Sequence, residues 1–449
     1  MRKKLAIIFG LAAAFAALLV LRPWESDEED VPRFFDRLPD ADIIGKANLL
    51  ELTESLEQTT YHYKIPFREF LTREFVLLQS KSFGIDVQNP VYFFANENEW
   101  ELRDFGAMFH VKDSSLIEKG VRRLSSVVKL SDTLIYDQRV YQNRSSKISI
   151  AYGSDWLLFY CGDDFKRMYH DVLFAKRNEI PPNWRAFLNQ TKMDGTALVA
   201  KWSSKDLDKY SINAVDLRLQ NDSTSITLLS QVHQNDSIAI RMLDSGPTYA
   251  KQEYTRTLAN LHLDASGLRD HPNDPLVQIM KQVAQKISFP VQDFLMAWEG
   301  SVAFRQGGLQ TYREKYIESE LDENFNITEV VKYKTIKLPG FSLYLAMNES
   351  YPDFLDRLKV KGILTKPDKR YRLLFSPPLA LQEDESAISL HTATYYEKPD
   401  TSTANSVMFT YDKTPYTFHL DSLGTNTYYC RFHIPLARLV ETNIPTDEF

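Results

Sequence analysis

Apolar and polar positions alternate in short runs along most of this chain, at the two spacings that mark strands and helices. Residues 40–52 predict a strand leading into a helix. Apolar residues at 67, 70, 71, 75 and 78 trace one helical face. Pro90-Val91-Tyr92-Phe93-Phe94 reads as a buried strand and 106–111 as another, followed by a helix that Ser114 caps and that runs to about Ser126. Residues 135–161 predict two or three further strands, with Gly153-Ser154-Asp155 as a hairpin turn. Asp163 or Asp164 then caps a helix through Lys176. From 196 to 243 the alternation is clean: Val215, Leu217, Leu219, then Ile226, Leu228, Val232, then Ile238, Ile240. That pattern predicts an antiparallel meander with one buried face.

The later chain follows the earlier one. Gly106-Ala107-Met108-Phe109-His110-Val111 aligns without a gap with Gly340-Phe341-Ser342-Leu343-Tyr344-Leu345, and both continue into a polar cap and a helix ending in Arg-Leu. Ala47-Asn48-Leu49 returns as Ala259-Asn260-Leu261, and the stripe Leu276, Ile279, Met280, Val283, Ile287 matches the earlier helix. Pro90-Val91-Tyr92-Phe93 is echoed by Ser301-Val302-Ala303-Phe304, and Phe159-Tyr160-Cys161 with its helix by Tyr428-Tyr429-Cys430 and 435–440. Ordered self-similarity of this kind implies a duplicated unit.

One segment breaks the short-run pattern. Residues 5–21 carry no charge and follow Arg2-Lys3-Lys4, a helix of about 26 Å if it forms, near the lower limit for a bilayer core. The expectation is a retained signal anchor, with a cleaved signal peptide as the alternative; Ala14-Phe15-Ala16 offers a small-x-small site, but greasy sequence follows it. Basic residues before the run and Glu25, Asp27, Glu28, Glu29, Asp30 after it predict a single pass through a bacterial inner membrane, with the C-terminal body in the periplasm.

The fold expected is therefore α+β: an N-terminal transmembrane helix followed by two related antiparallel-sheet-and-helix lobes joined by a β-meander. Its boundaries are 1–24 for the tip and anchor, 25–33 for an acidic linker, 34–192 for the first repeat, 193–250 for the bridging meander and 251–449 for the second repeat.

Composition narrows the chemistry. A net charge of −7 and the lack of a basic cluster beyond the first residues argue against nucleic acid. Cys161 and Cys430 are read as free thiols, with a disulfide as the alternative. Six glycosylation sequons carry little weight in a chain rich in Asn and Ser. The nine histidines show no zinc spacing, and no nucleophile elbow or phosphate-binding glycine loop occurs. The densest polar group is Asp264, Asp270, His271, Asn273 and Asp274; its oxygen ligands suit calcium, but its spacing and Pro272 and Pro275 favour a capped loop. Glu318, Glu320, Asp322 and Glu323 read as a solvated hairpin tip, and Trp298-Glu299-Gly300 as a packed turn. No catalytic, cofactor-binding or metal-binding residue is assigned.

Leu38-Pro39-Asp40-Ala41-Asp42 with Asn48-Leu49-Leu50-Glu51-Leu52, and Glu299-Gly300-Ser301-Val302 before a later strand, carry a resemblance. In these the chain resembles a group of bacterial envelope-anchored proteins of unknown function. The resemblance covers most of 34–440 in pattern, and it implies an envelope protein with no established activity and no catalytic residues to carry over. The function expected is a non-enzymatic binding or scaffold component of the cell envelope, with a protein, peptide or lipid partner and no nucleic acid. The alternative is an envelope hydrolase or isomerase whose site converges from distant residues.

Overall fold

The structure, a computed structural model, describes residues 37–62, 72–174, 182–190, 196–221, 224–321, 327–366, 370–374, 376, 378–392, 398–403, 405–411 and 414–435. The apolar run 5–21, the acidic linker and the helix expected at 435–440 fall outside them, apart from Pro435. The described residues fall into two compact units, one drawn from within 1–209, 213–232 and 435–449, the other from within 210–212 and 233–434.

The first unit is built on β1 (Ile43–Ala47), β2 (Ile85–Asp86), β3 (Val91–Asn98), β4 (Glu101–Val111), β5 (Ser131–Ile135), β6 (Gln138–Asn143), β7 (Ile148–Tyr152), β8 (Trp156–Cys161), β9 (Leu198–Trp202) and β10 (Ile212–Asn221), followed by β11 (Ser225–Gln234). Its sheet runs β10-β9-β1-β3-β4-β8-β7-β6-β5, antiparallel at every step. β2 pairs with the end of β4. Helices α1 (Leu49–His62) and α2 (Arg73–Ser82) connect β1 to β2, and α3 (Ser114–Val128) follows β4. Helices α4 (Phe165–Phe174), α5 (Pro182–Gln190) and α6 (Lys205–Asp208) come later in the chain.

Both faces of this sheet are covered. Phe94, Met108, Leu158 and Tyr160 pack with Phe165, Met168 and Tyr169 of α4 and with Trp184 and Leu188 of α5. Val91, Ala107, Phe109 and Leu157 pack with Val76 of α2 and with Ile117 and Val121 of α3. Burial on both sides explains why these strands are continuous apolar runs and not strict alternations. Asp113, one residue before the expected cap, starts α3: its carboxylate accepts from the Ser115 backbone N–H at 2.9 Å and from the Ser115 hydroxyl at 2.7 Å.

The second unit contains β12 (Arg241–Met242), β13 (Gly246–Thr248), β14 (Thr255–Asp264), β15 (Trp298–Leu321), β16 (Ile327–Met347), β17 (Leu364–Thr365), β18 (Arg372–Leu373), β19 (Ala380–Asp384), β20 (Ala387–His391), β21 (Asp400–Ser402), β22 (Ser406–Tyr411), β23 (Thr414–Leu423) and β24 (Thr427–Pro435). Its sheet runs β24-β23-β22-β14-β15-β16-β20-β19, again antiparallel throughout. β12 pairs with the end of β14, and β13–β21 and β17–β18 form separate two-stranded ribbons. Helices α7 (Pro275–Gln285), α8 (Val291–Ala297) and α9 (Tyr351–Val360) supply Val277, Phe294, Phe354 and Leu358 to a core with Trp298, Ile388 and Leu390. Arg305, in the middle of β15, is buried; its guanidinium donates to the Ala250 carbonyl at 3.1 Å and stacks on Tyr249 at 5.3 Å.

Strand for strand, the two units follow one plan. β10-β9-β1-β3-β4-β8-β7 corresponds to β23-β22-β14-β15-β16-β20-β19, with helices after the third strand of that order and one helix after the fifth.

Two expectations are corrected, the fold class and the membrane anchor. Among the described residues the chain is a mostly antiparallel β structure, 51% strand and 23% helix, where an α+β fold carried on a transmembrane helix was expected. β15 and β16 run for 24 and 21 residues, far beyond the segments 301–304 and 340–345 that the sequence singles out. Within the segment expected as a meander, β9 pairs directly with β1 (Ile43↔Trp202) and β10 with β9 (Val215↔Trp202), so both strands belong to the first unit's sheet. No helix among the described residues is long and apolar enough to cross a membrane, so the structure does not support a transmembrane signal anchor or a single-pass inner-membrane protein with a periplasmic body. Hydropathy and flanking charge carried that expectation, from a segment at the lower limit of spanning length that lies outside the described residues.

Candidate functional site

The first unit carries an open concavity of about 480 Å³ lined by Tyr136, Asp163, Asp164, Lys166, Arg167 and His170. It lies between the β5–β6 hairpin and the start of α4. The hairpin turns in two residues, Tyr136 and Asp137, with φ of +53° and +59°. A turn of that length needs positive φ at both central positions and normally uses Asn, Asp or Gly. A tyrosine there costs about 1 kcal/mol or more.

Contacts with α4 hold the tyrosine in place. The Tyr136 ring meets His170 edge-on at 5.5 Å and Phe174 edge-on at 5.7 Å, and lies 6.4 Å from Tyr169. Lys166 Nζ sits 5.9 Å from the ring centroid. Lys166, His170 and Phe174 are spaced by four, so one helix face presents a cation and two rings to the turn. Aromatic pairs of this kind contribute about 1 kcal/mol each, enough to offset the backbone strain.

The rim is ionic. The Asp163 carboxylate pairs with Lys147 at 2.5 Å, and Asp164 with Arg103 at 3.0 Å and Arg167 at 3.9 Å. Beneath the rim Asp104 is buried; its Oδ1 accepts from the Tyr160 hydroxyl at 2.8 Å and the Asp163 backbone N–H at 3.2 Å. Burial, and then the bond to Asp104, push the Tyr160 hydroxyl well above the usual phenol range. Lys147, Arg103 and Arg167 pair with Asp163, Asp164 and Asp104, and Lys166 lies over the Tyr136 ring, so four cations stand against three carboxylates and the small excess of positive charge favours an anion. Its six lining residues include no serine, threonine or cysteine, hence no hydroxyl or thiol nucleophile apart from the phenol of Tyr136.

The second unit carries a smaller cleft of about 160 Å³, where Asp270, His271, Asn273 and Asp274 meet Ser211, Gln234 and Asp236. Four of the five residues in the sequence cluster are thus brought together. Asp264 is not among the lining residues; its carboxylate accepts from the Ser266 hydroxyl at 2.7 Å and backbone N–H at 3.1 Å, and these bonds hold it below the usual carboxylate range. Asp274 caps α7, accepting from the Leu276 N–H at 2.9 Å with Pro275 at the first helical position. Burial pushes its carboxyl up, partly opposed by that bond. Gln234 donates to the Tyr428 hydroxyl at 3.3 Å, and burial followed by the charge of Asp274 raises that hydroxyl above its ordinary range. Among the described residues no group of three or more His, Cys, Asp or Glu is placed to hold a metal ion.

Glu299 is tied to Arg269, which also donates to the Leu295 and Trp298 carbonyls at 3.1 and 3.3 Å. Trp298 stacks on Phe294 at 5.1 Å, but the segment expected as a packed turn is the start of β15, where Trp298 pairs with Met347 and Gly300 with Asp264. Glu318 and Glu320 lie on β15, while Asp322 and Glu323 fall outside the described residues. Cys161 and Cys430 are free thiols. The groove residues of the first unit were missed from sequence. The signal present was two strands separated by two residues, without the Asn-Gly or Asp-Gly pair that marks such turns.

Comparison with known proteins adds little. No family model matches the chain, and no curated protein matches it. Among solved structures, crystal form III of TP0453 aligns over 47% of this chain and 83% of its own, at 10% identity and a TM-score of 0.32. Crystal form I aligns over 48% and 82%, at 8% identity and 0.31. Crystal form IV aligns over 45% and 81%, at 9% identity and 0.31. Likeness this slight carries no argument about fold or function, and nothing in these comparisons supports envelope anchoring.

Proposed function

We propose that this chain is a non-enzymatic binding component of the bacterial cell envelope, and that the groove of the first unit takes a ligand joining a flat ring to an anionic group. The observation that carries the binding reading is Tyr136, held at positive φ so that its ring meets the α4 face beside Lys166. A strained aromatic residue at an open, cation-rimmed concavity suits recognition. The envelope part rests on the resemblance at residues 38–42 and 48–52. The alternative, a hydrolase or isomerase, would draw on Asp274 and His271. Asp274 is committed to capping α7, which favours binding over catalysis.

The test uses 1-anilinonaphthalene-8-sulfonate, a ring-plus-anion probe, against its uncharged analogue N-phenyl-1-naphthylamine. The anionic probe is expected to bind more tightly. Tyr136→Asn keeps a residue suited to the turn and removes the ring, so the affinity for the anionic probe should fall about tenfold or more while stability changes by no more than about 1 kcal/mol. Equal affinity of wild type, Tyr136→Asn and Lys166→Glu for the probe would sink the assignment.

A further inference from the structure

The β15–β16 hairpin outruns the sheet that roots it. Pairing of β14 with β15 stops at Thr255↔Gly307, and pairing of β20 with β16 stops at Ser342↔His391. From Leu309↔Pro339 to Leu321↔Ile327 the two strands pair only with each other among the described residues, an arm of about 40 Å. Every residue from Arg313 to Glu320 is exposed. A lone two-stranded ribbon is marginal in water, and this one leaves both edges and both faces open.

Opposed residues share a face, which separates the arm's side chains into two sets. One face carries Glu314/Lys334, Tyr316/Lys332, Glu318/Val330 and Glu320/Thr328. Its charges are largely settled within the arm, because Lys332 pairs with both Glu318 and Glu320. The other face carries Thr311/Lys337, Arg313/Thr335, Lys315/Tyr333, Ile317/Val331 and Ser319/Glu329. Ile317 is 60% exposed, Tyr333 55% and Val331 46%, with Ile327 at 75% beyond them. Lys315 and Glu329 form no ion pair among the described residues, and they lie on opposite sides of this apolar centre. Charge on this face is therefore graded, basic towards the root (Lys337, Arg313, Lys315) and acidic towards the far end (Glu329).

We propose that this face is a dimerisation surface and that its partner is the same arm of a second copy of this chain. A two-fold axis through the Ile317/Val331 pair lays two arms antiparallel, face on face. The apolar centres then stack, and the Lys315/Tyr333 pair of each arm lies over the Ser319/Glu329 pair of the other. The gradient is complementary to itself only in that orientation. An anionic lipid surface fits less well, since Glu329 stands beside the exposed Ile327 at the end that would enter it. The footprint, about 40 Å by about 10 Å, is roughly half the standard area per partner, so the dimer is weak and depends on concentration.

Sedimentation velocity of the full chain from about 1 to about 200 µM tests this, a range that brackets a weak dimer. A monomer–dimer equilibrium that weakens as salt rises is expected. Lys315→Glu and Glu329→Lys should each weaken it about tenfold, and the double variant should restore it, which also shows that the single variants fold. A monomer at every concentration, single variants that dimerise like wild type, or a double variant that fails to recover would each overturn the proposal. So would a monomer that floats with phosphatidylglycerol vesicles, which would assign the face to lipid.

Discussion

Lowering the pH from 7 to 4 is expected to cost the first unit about 3 kcal/mol of stability through His110 alone. His110 sits on β4 opposite Trp156 of β8 and Asp86 of β2, buried, with its ring 6.4 Å from that of Tyr92. Burial pulls its pKa from 6.5 down to about 4, against the opposing pull of Asp86 and Asp155, which favour the charged ring. Those carboxylates are themselves engaged, Asp86 with Lys112 at 3.5 Å and Asp155 with Arg37 at 3.8 Å, so they offset little of the burial. Between pH 6.5 and 4 the unfolded chain takes up a proton that the folded chain refuses. Stability is full above about 6.5, falls through that window and loses nothing further from this group below about 4. Urea unfolding followed by tryptophan fluorescence at pH 7, 5 and 4 should show the slope, and His110→Gln should remove most of it. Carboxylates titrate in both chains, so the difference between them isolates the histidine. An identical pH slope in the variant would exclude His110 as the cause.

The residues around His110 also show where sequence reading succeeds. Val91–Phe94 and 106–111 are legible because apolar runs of that length, bounded by Pro, Gly and polar residues, have few other uses. The cap of α3 was misread by one residue, since Asp113, Ser114 and Ser115 are all competent caps and only backbone geometry chooses among them. The stripe on α7 misleads in another way. Ile279 and Val283, with Ile287 just past the helix, read as a core face, yet they are exposed, while Val277 and Ala284 are buried. Periodicity shows that a helix has an apolar side and says nothing of which neighbour covers it. The arm of β15 and β16 was illegible for a related reason. Both its faces mix charge with β-formers, so no alternation marks it out. The groove of the first unit needs Tyr136 and His170, 34 residues apart in sequence, to meet through a turn whose residues do not advertise it.

Two glycines of the first sheet should tolerate substitution badly, and for separable reasons. On β3, Phe93 lies opposite Gly45 of β1 and Phe94 opposite Gly106 of β4, one pair on each face of the sheet. Each ring covers its glycine so closely that a Cβ there would meet it well inside 3.0 Å, a separation real Cβ atoms essentially never show. Phe94 is fully buried and has nowhere to move. Gly106→Ala is therefore expected to cost about 2–3 kcal/mol, lowering the midpoint of thermal unfolding by about 5–10 °C. The obstacle is the ring alone, so Phe94→Leu made on the Gly106→Ala background should recover part of the loss, with coupling of at least about 1 kcal/mol in a double-mutant cycle. Gly45→Ala should cost at least as much, but Phe93→Leu should not rescue it. A Cβ at 45 would also press on the Val199 carbonyl oxygen of β9, and backbone cannot be trimmed. Equal rescue at both sites would mean that side-chain crowding alone sets the requirement for glycine. Rescue at 106 but not at 45 would place one constraint in the aromatic cover and the other in the spacing of β1 and β9.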